Sequence, residues 1–245
     1  MRWAQPGIRH CVATFARTRE ELGKVKVFVL FLSAWALGGC MIIQKGLTGR
    51  DTVLGSGKAS SVSREGLGEF RSIELSLPAE VSVKVGDAYS VTLHGDDNLL
   101  ARVRTEVEGG ELEIGSDANL RSKTGLRIEI TVPRLEGASI AGSGSIDAEI
   151  GTVDAFRASV AGSGELRAEG IAKSVAVSIA GSGDVNLDNV ASEDAEVEIA
   201  GSGDVTVKAS KNLKIEIAGS GSVKYVGDPK VQSSVAGSGD VAKIG

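Results

Sequence analysis

Ile199-Ala200-Gly201-Ser202-Gly203-Asp204-Val205 is one of six versions of a single phrase, and its recurrence sets the fold class. Ala-Gly-Ser-Gly begins at Ala141, Ala161, Ala180, Ala200, Ala218 and Ala236, at spacings of 20, 19, 20, 18 and 18 residues. A period near 20 marks a stacked array, in which each unit buries its apolar face only against its neighbours. The apolar positions keep the same period. Ile140, Val160, Ile179, Ile199, Ile217 and Val235 stand immediately before the motifs, and Ile146, Leu166, Val185, Val205, Val223 and Val241 stand two residues after them. A third row runs Ala158, Val177, Val197 and Ile215. Stacked at about 4.8 Å per rung, these rows make continuous aliphatic ladders. Between them lie polar rows that face outward: Ser178, Glu198, Glu216, Ser234, and Glu196, Lys214, Gln232.

Short strands joined by glycine corners predict an all-β, single-stranded β-solenoid with one 18–20-residue coil per repeat. Glycine at a corner permits positive φ and close stacking on the rung above. A propeller blade needs about 40 residues, and leucine-rich repeats need repeated Leu and Asn positions that are missing here.

Upstream of the repeats the pattern has period two. Phe70, Ile73, Leu75 and Leu77 begin it, and Val81, Val83 and Val85 continue it to Gly86-Asp87, a turn dipeptide. Tyr89, Val91 and Leu93 alternate next. Val103 to Val107 and Leu112 to Ile114 flank Glu108-Gly109-Gly110, which reads as a hairpin turn. Leu126 to Val132 alternates and stops at Pro133, which cannot donate to a ladder. The only helical signal is a single turn at Asp97-Asn98-Leu99-Leu100. Residues 41–68 are rich in Gly and Ser and read as a flexible tether.

At the N-terminus, Lys24 and Lys26 precede an apolar run from Val27 to Ala36, followed by Leu37-Gly38-Gly39-Cys40. The run is too short for a bilayer span of about 20 residues. Its order of charge, apolar stretch and small residues is that of a secretory signal. The 23 residues before Lys24 exceed the usual basic region and point to a translation start within residues 1–25. The expected organisation is therefore 1–39 leader and signal peptide, 40–68 lipidated Cys and tether, and 69–245 solenoid, with repeats over 141–245.

Leu-Gly-Gly-Cys resembles the lipobox of bacterial lipoproteins, and that resemblance implies diacylglycerol attachment at Cys40 and a membrane anchor. Met41, where retained lipoproteins often carry Asp, implies in a Gram-negative cell an outer-membrane lipoprotein of the cell envelope, facing either the periplasm or the outside. The mature chain also resembles the putative auto-transporter adhesin, head GIN domain family (DUF2807). The residues that carry this are Phe70-x-Ser72-Ile73, Gly95-Asp96-Asp97-Asn98-Leu99-Leu100, Gly110-x-Leu112-x-Ile114, Thr131-Val132-Pro133-x-Leu135 and the Gly-Ser-Gly repeats. The resemblance spans about residues 54–245 and implies a right-handed β-helix, often lipid-anchored, with an adhesin label.

Charge narrows the function further. Beyond Cys40 stand 21 basic and 30 acidic residues, so neither nucleic acid nor anionic lipid is an expected electrostatic partner. The Gly-x-Gly motifs lack the following helix and Lys of a phosphate loop. Asp184, Asp204 and Asp240 follow the motif but alternate with Ser145, Glu165 and Ser222, which reads as solvated turns and not a calcium repeat. Ser143 and its equivalents lack a nearby base, since His94 lies outside the repeats. The expectation is a non-enzymatic adhesin or surface-binding module with a glycan or protein ligand, with no catalytic residue, cofactor or metal. An envelope scaffold is the alternative, and a carbohydrate-active β-helix using acids such as Glu196, Glu198 and Glu216 ranks below it. Lys243 occupies the row of Leu187, Val207 and Tyr225, placing a charge where the ladder would continue, which favours a monomer.

Overall fold

Alternation becomes strand almost everywhere within residues 51–245, which the computed structural model describes. Cys11, the expected signal segment, Cys40 and residues 41–50 lie outside the described residues. The N-terminal part comprises β1 (Thr52–Leu54), β2 (Ala59–Arg64), β3 (Ser72–Leu75), β4 (Glu80–Val85), β5 (Ser90–Asp96), α1 (Asp97–Leu100), β6 (Arg104–Glu108), β7 (Glu111–Gly115), β8 (Asn119–Arg121) and β9 (Arg127–Val132). The repeats supply β10 (Gly137–Gly142), the long bent strands β11 (Ser145–Gly162), β12 (Glu165–Gly181), β13 (Asp184–Gly201) and β14 (Asp204–Gly219), then β15 (Ser222–Val226), β16 (Lys230–Gly237) and β17 (Asp240–Lys243).

The repeats stack in parallel and in register, as a β-solenoid. Ile140 pairs with Val160, Val160 with Ile179, Ile179 with Ile199, Ile199 with Ile217, and Ile217 with Val235. The rows beginning at Ile146 and Ala158 stack likewise, and their members from Ala158 to Ile215 are buried. A further inward row, Phe156-Val175-Ala195-Leu213, fills the core between them. The 18–20-residue variation is absorbed where the register shifts, between Glu149 and Gly151, Arg167 and Glu169, and Leu187 and Ser192.

The motif itself is explained by space. In each coil the first glycine adopts a positive φ, +131° at Gly181 and +141° at Gly201. A Cβ at Gly201 would lie 2.0 Å from Gly181 O. The second glycine passes under the aliphatic ladder: a Cβ at Gly203 would lie 2.3 Å from Gly183 O and 2.9 Å from Ile179 Cγ2. The serine N–H then donates to the glycine carbonyl one coil back, as in Ser182 N to Gly162 O and Ser202 N to Gly181 O, both 2.8 Å. The corner thus continues the backbone ladder without a break.

One large sheet bends into two faces. The first, here the motif face, runs β6-β7-β3-β10, then the C-terminal halves of β11 to β14, then β16. The second runs β2-β5-β9-β4, then the N-terminal halves of β11 to β14, then β15 and β17. The stack order differs from the chain order. Strands β3 and β4, earlier in sequence than β7 and β9, form the second coil. The first coil is β7 with β9, and β10 returns to stack on β3. Antiparallel β6 and β5, followed by β2, close this end.

The Glu108–Glu111 hairpin turns on Gly109 and Gly110, both at positive φ as a primed two-residue turn requires. One expectation is corrected. The tether read to residue 68 contains β1, which pairs with β8, and β2, which pairs with β5. Asp96 is the reason: its buried carboxylate accepts from Gly57 N (2.6 Å), Ser122 Oγ (2.6 Å) and Lys123 N (2.9 Å), tying the N-terminal segment to the coil. The Gly86-Asp87 turn leads from β4 to β5, which do not pair with each other because β9 lies between them.

Candidate binding face

The alternation that buries one set of side chains on the motif face displays the other set as straight outward rows. One row is Glu113, Glu74, Ser139, Ser159, Ser178, Glu198, Glu216 and Ser234. Beside it run Glu111, Ser72, Gly137, Arg157, Ala176, Glu196, Lys214 and Gln232. The exposed alanines of the motif, Ala141 to Ala236, form a third row. Over the middle coils the face is therefore shallow, with small residues and little but Arg157 projecting.

Toward the N-terminal end the face opens into a groove of about 660 Å³, lined by Arg71, Ser72, Gly110, Glu136, Gly137, Arg157 and others. Gly137 makes the floor; the Gly109–Gly110 turn makes one rim. Arg71 lies 3.7 Å from Glu136, which Arg134 also approaches at 3.1 Å. Arg157 is exposed and forms no ion pair among the described residues. The Glu111 carboxyl at the groove edge is pushed above the usual carboxylate range, chiefly by burial and then by the neighbouring Glu74 and Glu113 carboxylates. These groups come from segments more than 80 residues apart, and no local pattern in the sequence announces them.

The acids that sequence reading singled out are placed otherwise. Lys214 bridges Glu196 (2.8 Å) and Glu216 (2.9 Å), and both carboxylates hold the Lys214 ammonium well above its ordinary range. Glu198 stands exposed between Ser178 and Glu216. The motif serines sit at corners, remote in sequence from His94, which faces Glu129 at 3.7 Å on the other sheet face. Glu165, Asp184, Asp204, Ser222 and Asp240 do stack in one row. Among the described residues no group of three or more His, Cys, Asp or Glu is arranged to hold a metal ion. No helix among them is long and apolar enough to cross a membrane.

The family model described as "Putative auto-transporter adhesin, head GIN domain" matches residues 69–229, from the first alternating segment through the fifth repeat. The chain belongs to this family. The head GIN domain of this chain has a solved counterpart in a putative adhesin from Bacteroides fragilis, 24% identical, with a TM-score of 0.64, covering 78% of this chain and 100% of that one. A putative lipid binding protein from Parabacteroides distasonis is also 24% identical, with a TM-score of 0.57, covering 80% and 100%. A putative adhesin from Parabacteroides merdae is 18% identical at a TM-score of 0.50, again with 80% and 100% coverage. At these identities the likeness is one of fold. No curated protein matches the chain. The adhesin names fit a surface-binding role.

Proposed function

We propose that this head GIN domain is a non-enzymatic, lipid-anchored adhesive module of the cell envelope, in which the motif face binds and Cys40 carries the anchor. The observation that supports it most is the regular outward display of the motif face. Polar rows at strand spacing, leading into a groove with the uncommitted guanidinium of Arg157, suit multipoint contact with an extended glycan or protein ligand. Cys40 precedes Thr52 by 12 residues, which reach at most about 40 Å when extended. Met41 after the Cys fits outer-membrane sorting.

Adherence of cells carrying the wild-type chain or Arg157→Glu tests the reading. Arg157 is exposed, so the variant keeps its folded circular dichroism, and adherence falls. Unchanged adherence at equal surface level refutes the assignment of this face.

One observation favours a second reading, a carbohydrate-active groove: the raised Glu111 carboxyl holds its proton more readily than an ordinary glutamate, beside two arginines. Release of reducing sugar from polysaccharides by the purified chain, abolished in Glu111→Gln, would establish it; no release in the wild type removes it.

A further inference from the structure

The two ends of the motif face differ in charge. At its N-terminal edge, β6 carries Arg104, Glu106 and Glu108 within five residues. At its C-terminal edge, β16 reads Lys230-Val-Gln-Ser-Ser-Val-Ala-Gly237 and carries no charge after Lys230. β16 pairs with β14 along one side, and among the described residues nothing pairs along the other. Val235 is 42% exposed, and Val231 is half-buried against the core. The neighbouring edge strand β17 is protected differently. Lys243 stands beside Tyr225 in the aliphatic row and is clasped by Asp228. That guard covers the face ending in β17 and leaves β16 without one. Natural sheet edges left flat and uncharged pair with another strand.

The sequence of β16 is complementary to itself. Its inward residues are Val231, Ser233 and Val235, which continue the rows of Leu213, Ile215 and Ile217. An antiparallel partner related by a two-fold axis through Ser233 would set Val231 opposite the second copy's Val235 and Gln232 opposite its Ser234. Any other two-fold register on the same face keeps at most one valine against a valine. In this register the two aliphatic ladders run on from one solenoid into the next. Head-to-tail stacking would instead bring the uncharged β16 against the charged β6.

We propose that the C-terminal edge of the motif face is a homophilic docking surface, where a second copy of this chain adds β16 to β16 in antiparallel register about Ser233 to close a tail-to-tail dimer. The two capped ends then point away from each other, which ends assembly at two copies and excludes a filament. This goes beyond the adhesive reading and does not depend on it.

Sedimentation equilibrium of the purified full chain in density-matched detergent, over a range of concentrations, tests it. The expected behaviour is a monomer–dimer equilibrium. Ser233 is exposed, so Ser233→Asp leaves the fold intact while placing two carboxylates face to face on the axis, and association weakens about tenfold or more. Ser233→Val, which extends the row of Ile215, tightens it. Gln232→Glu with Ser234→Lys, both on the outward side, adds two opposite-charge pairs only in this register and also tightens it. A chain monomeric throughout overturns the proposal, as does a dimer indifferent to Ser233→Asp or one weakened by the Glu/Lys double variant.

Discussion

Three glycine-to-alanine substitutions separate the two reasons for the repeated glycines. Gly142 has φ of +125°, yet a Cβ there meets nothing within 4 Å, so Gly142→Ala costs only backbone strain, about 1–3 kcal/mol. Gly203 is the converse: its φ lies outside the left-handed region, but its Cβ would meet Gly183 O at 2.3 Å. Gly201 combines both faults, with φ of +141° and a Cβ 2.0 Å from Gly181 O. Relief to an ordinary contact of about 3.4 Å requires the coils to part by roughly 1.4 Å. That movement breaks the Ser202 N to Gly181 O bond of 2.8 Å and strains the next, Ser220 N to Gly201 O. At about 1 kcal/mol per ladder bond, plus loosened packing of Ile199 on Ile179, the clash adds about 2–3 kcal/mol to the strain. Gly201→Ala therefore costs about 3–6 kcal/mol, the largest of the three. Urea unfolding followed by far-ultraviolet circular dichroism measures the order. Equal losses at Gly142 and Gly201 would refute the claim that coil-to-coil contact, and not φ alone, dictates the motif.

Ile199→Asp buries an unpaired charge in a ladder and should cost several kcal/mol, whereas Glu198→Lys, one residue away and exposed, should change stability by under about 0.5 kcal/mol; matched melting curves decide whether the register holds. The Ser122 hydroxyl first, with the Lys123, Gly57 and Thr124 amides, holds the Asp96 carboxyl well below the usual carboxylate range despite its burial. A depressed folded pKa gives stability that is present above about pH 4 and lost as the pH falls. Asp96→Asn should therefore be less stable than wild type at neutral pH, and the gap should narrow below about pH 4 in denaturation series at several pH values; a gap that widens in acid contradicts the assignment. Cys40→Ser should abolish incorporation of labelled lipid and leave an unprocessed precursor, and labelling at wild-type level would sink the anchor.

Much of this protein was legible in its residues. The period of the Ala-Gly-Ser-Gly phrase is local information, and it determined the solenoid, the three aliphatic rows from Ile140, Ile146 and Ala158, and the outward placement of Glu198 and Glu216. The hairpin at Gly109-Gly110, the turn at Asp97–Leu100 and the stop at Pro133 were equally readable, because turn chemistry is written in single residues. Other features were decided only in three dimensions. β2 is exposed along almost its whole length, so its Ala-Ser-Ser-Val-Ser-Arg sequence carries no buried alternation; pairing with β5 and the pull of Asp96 make it a strand. The order of the first two coils, with β7 and β9 outside β3 and β4, depends on which sheet edge each strand joins. The groove joins Arg71 to Arg157, 86 residues apart, and the Lys214 bridge forms because an 18-residue coil sets it beside Glu196. Side-chain period says which face of a strand is buried. The backbone N–H and C=O groups that choose its neighbour are the same in every residue except proline, so the choice of partner was left to the packed structure.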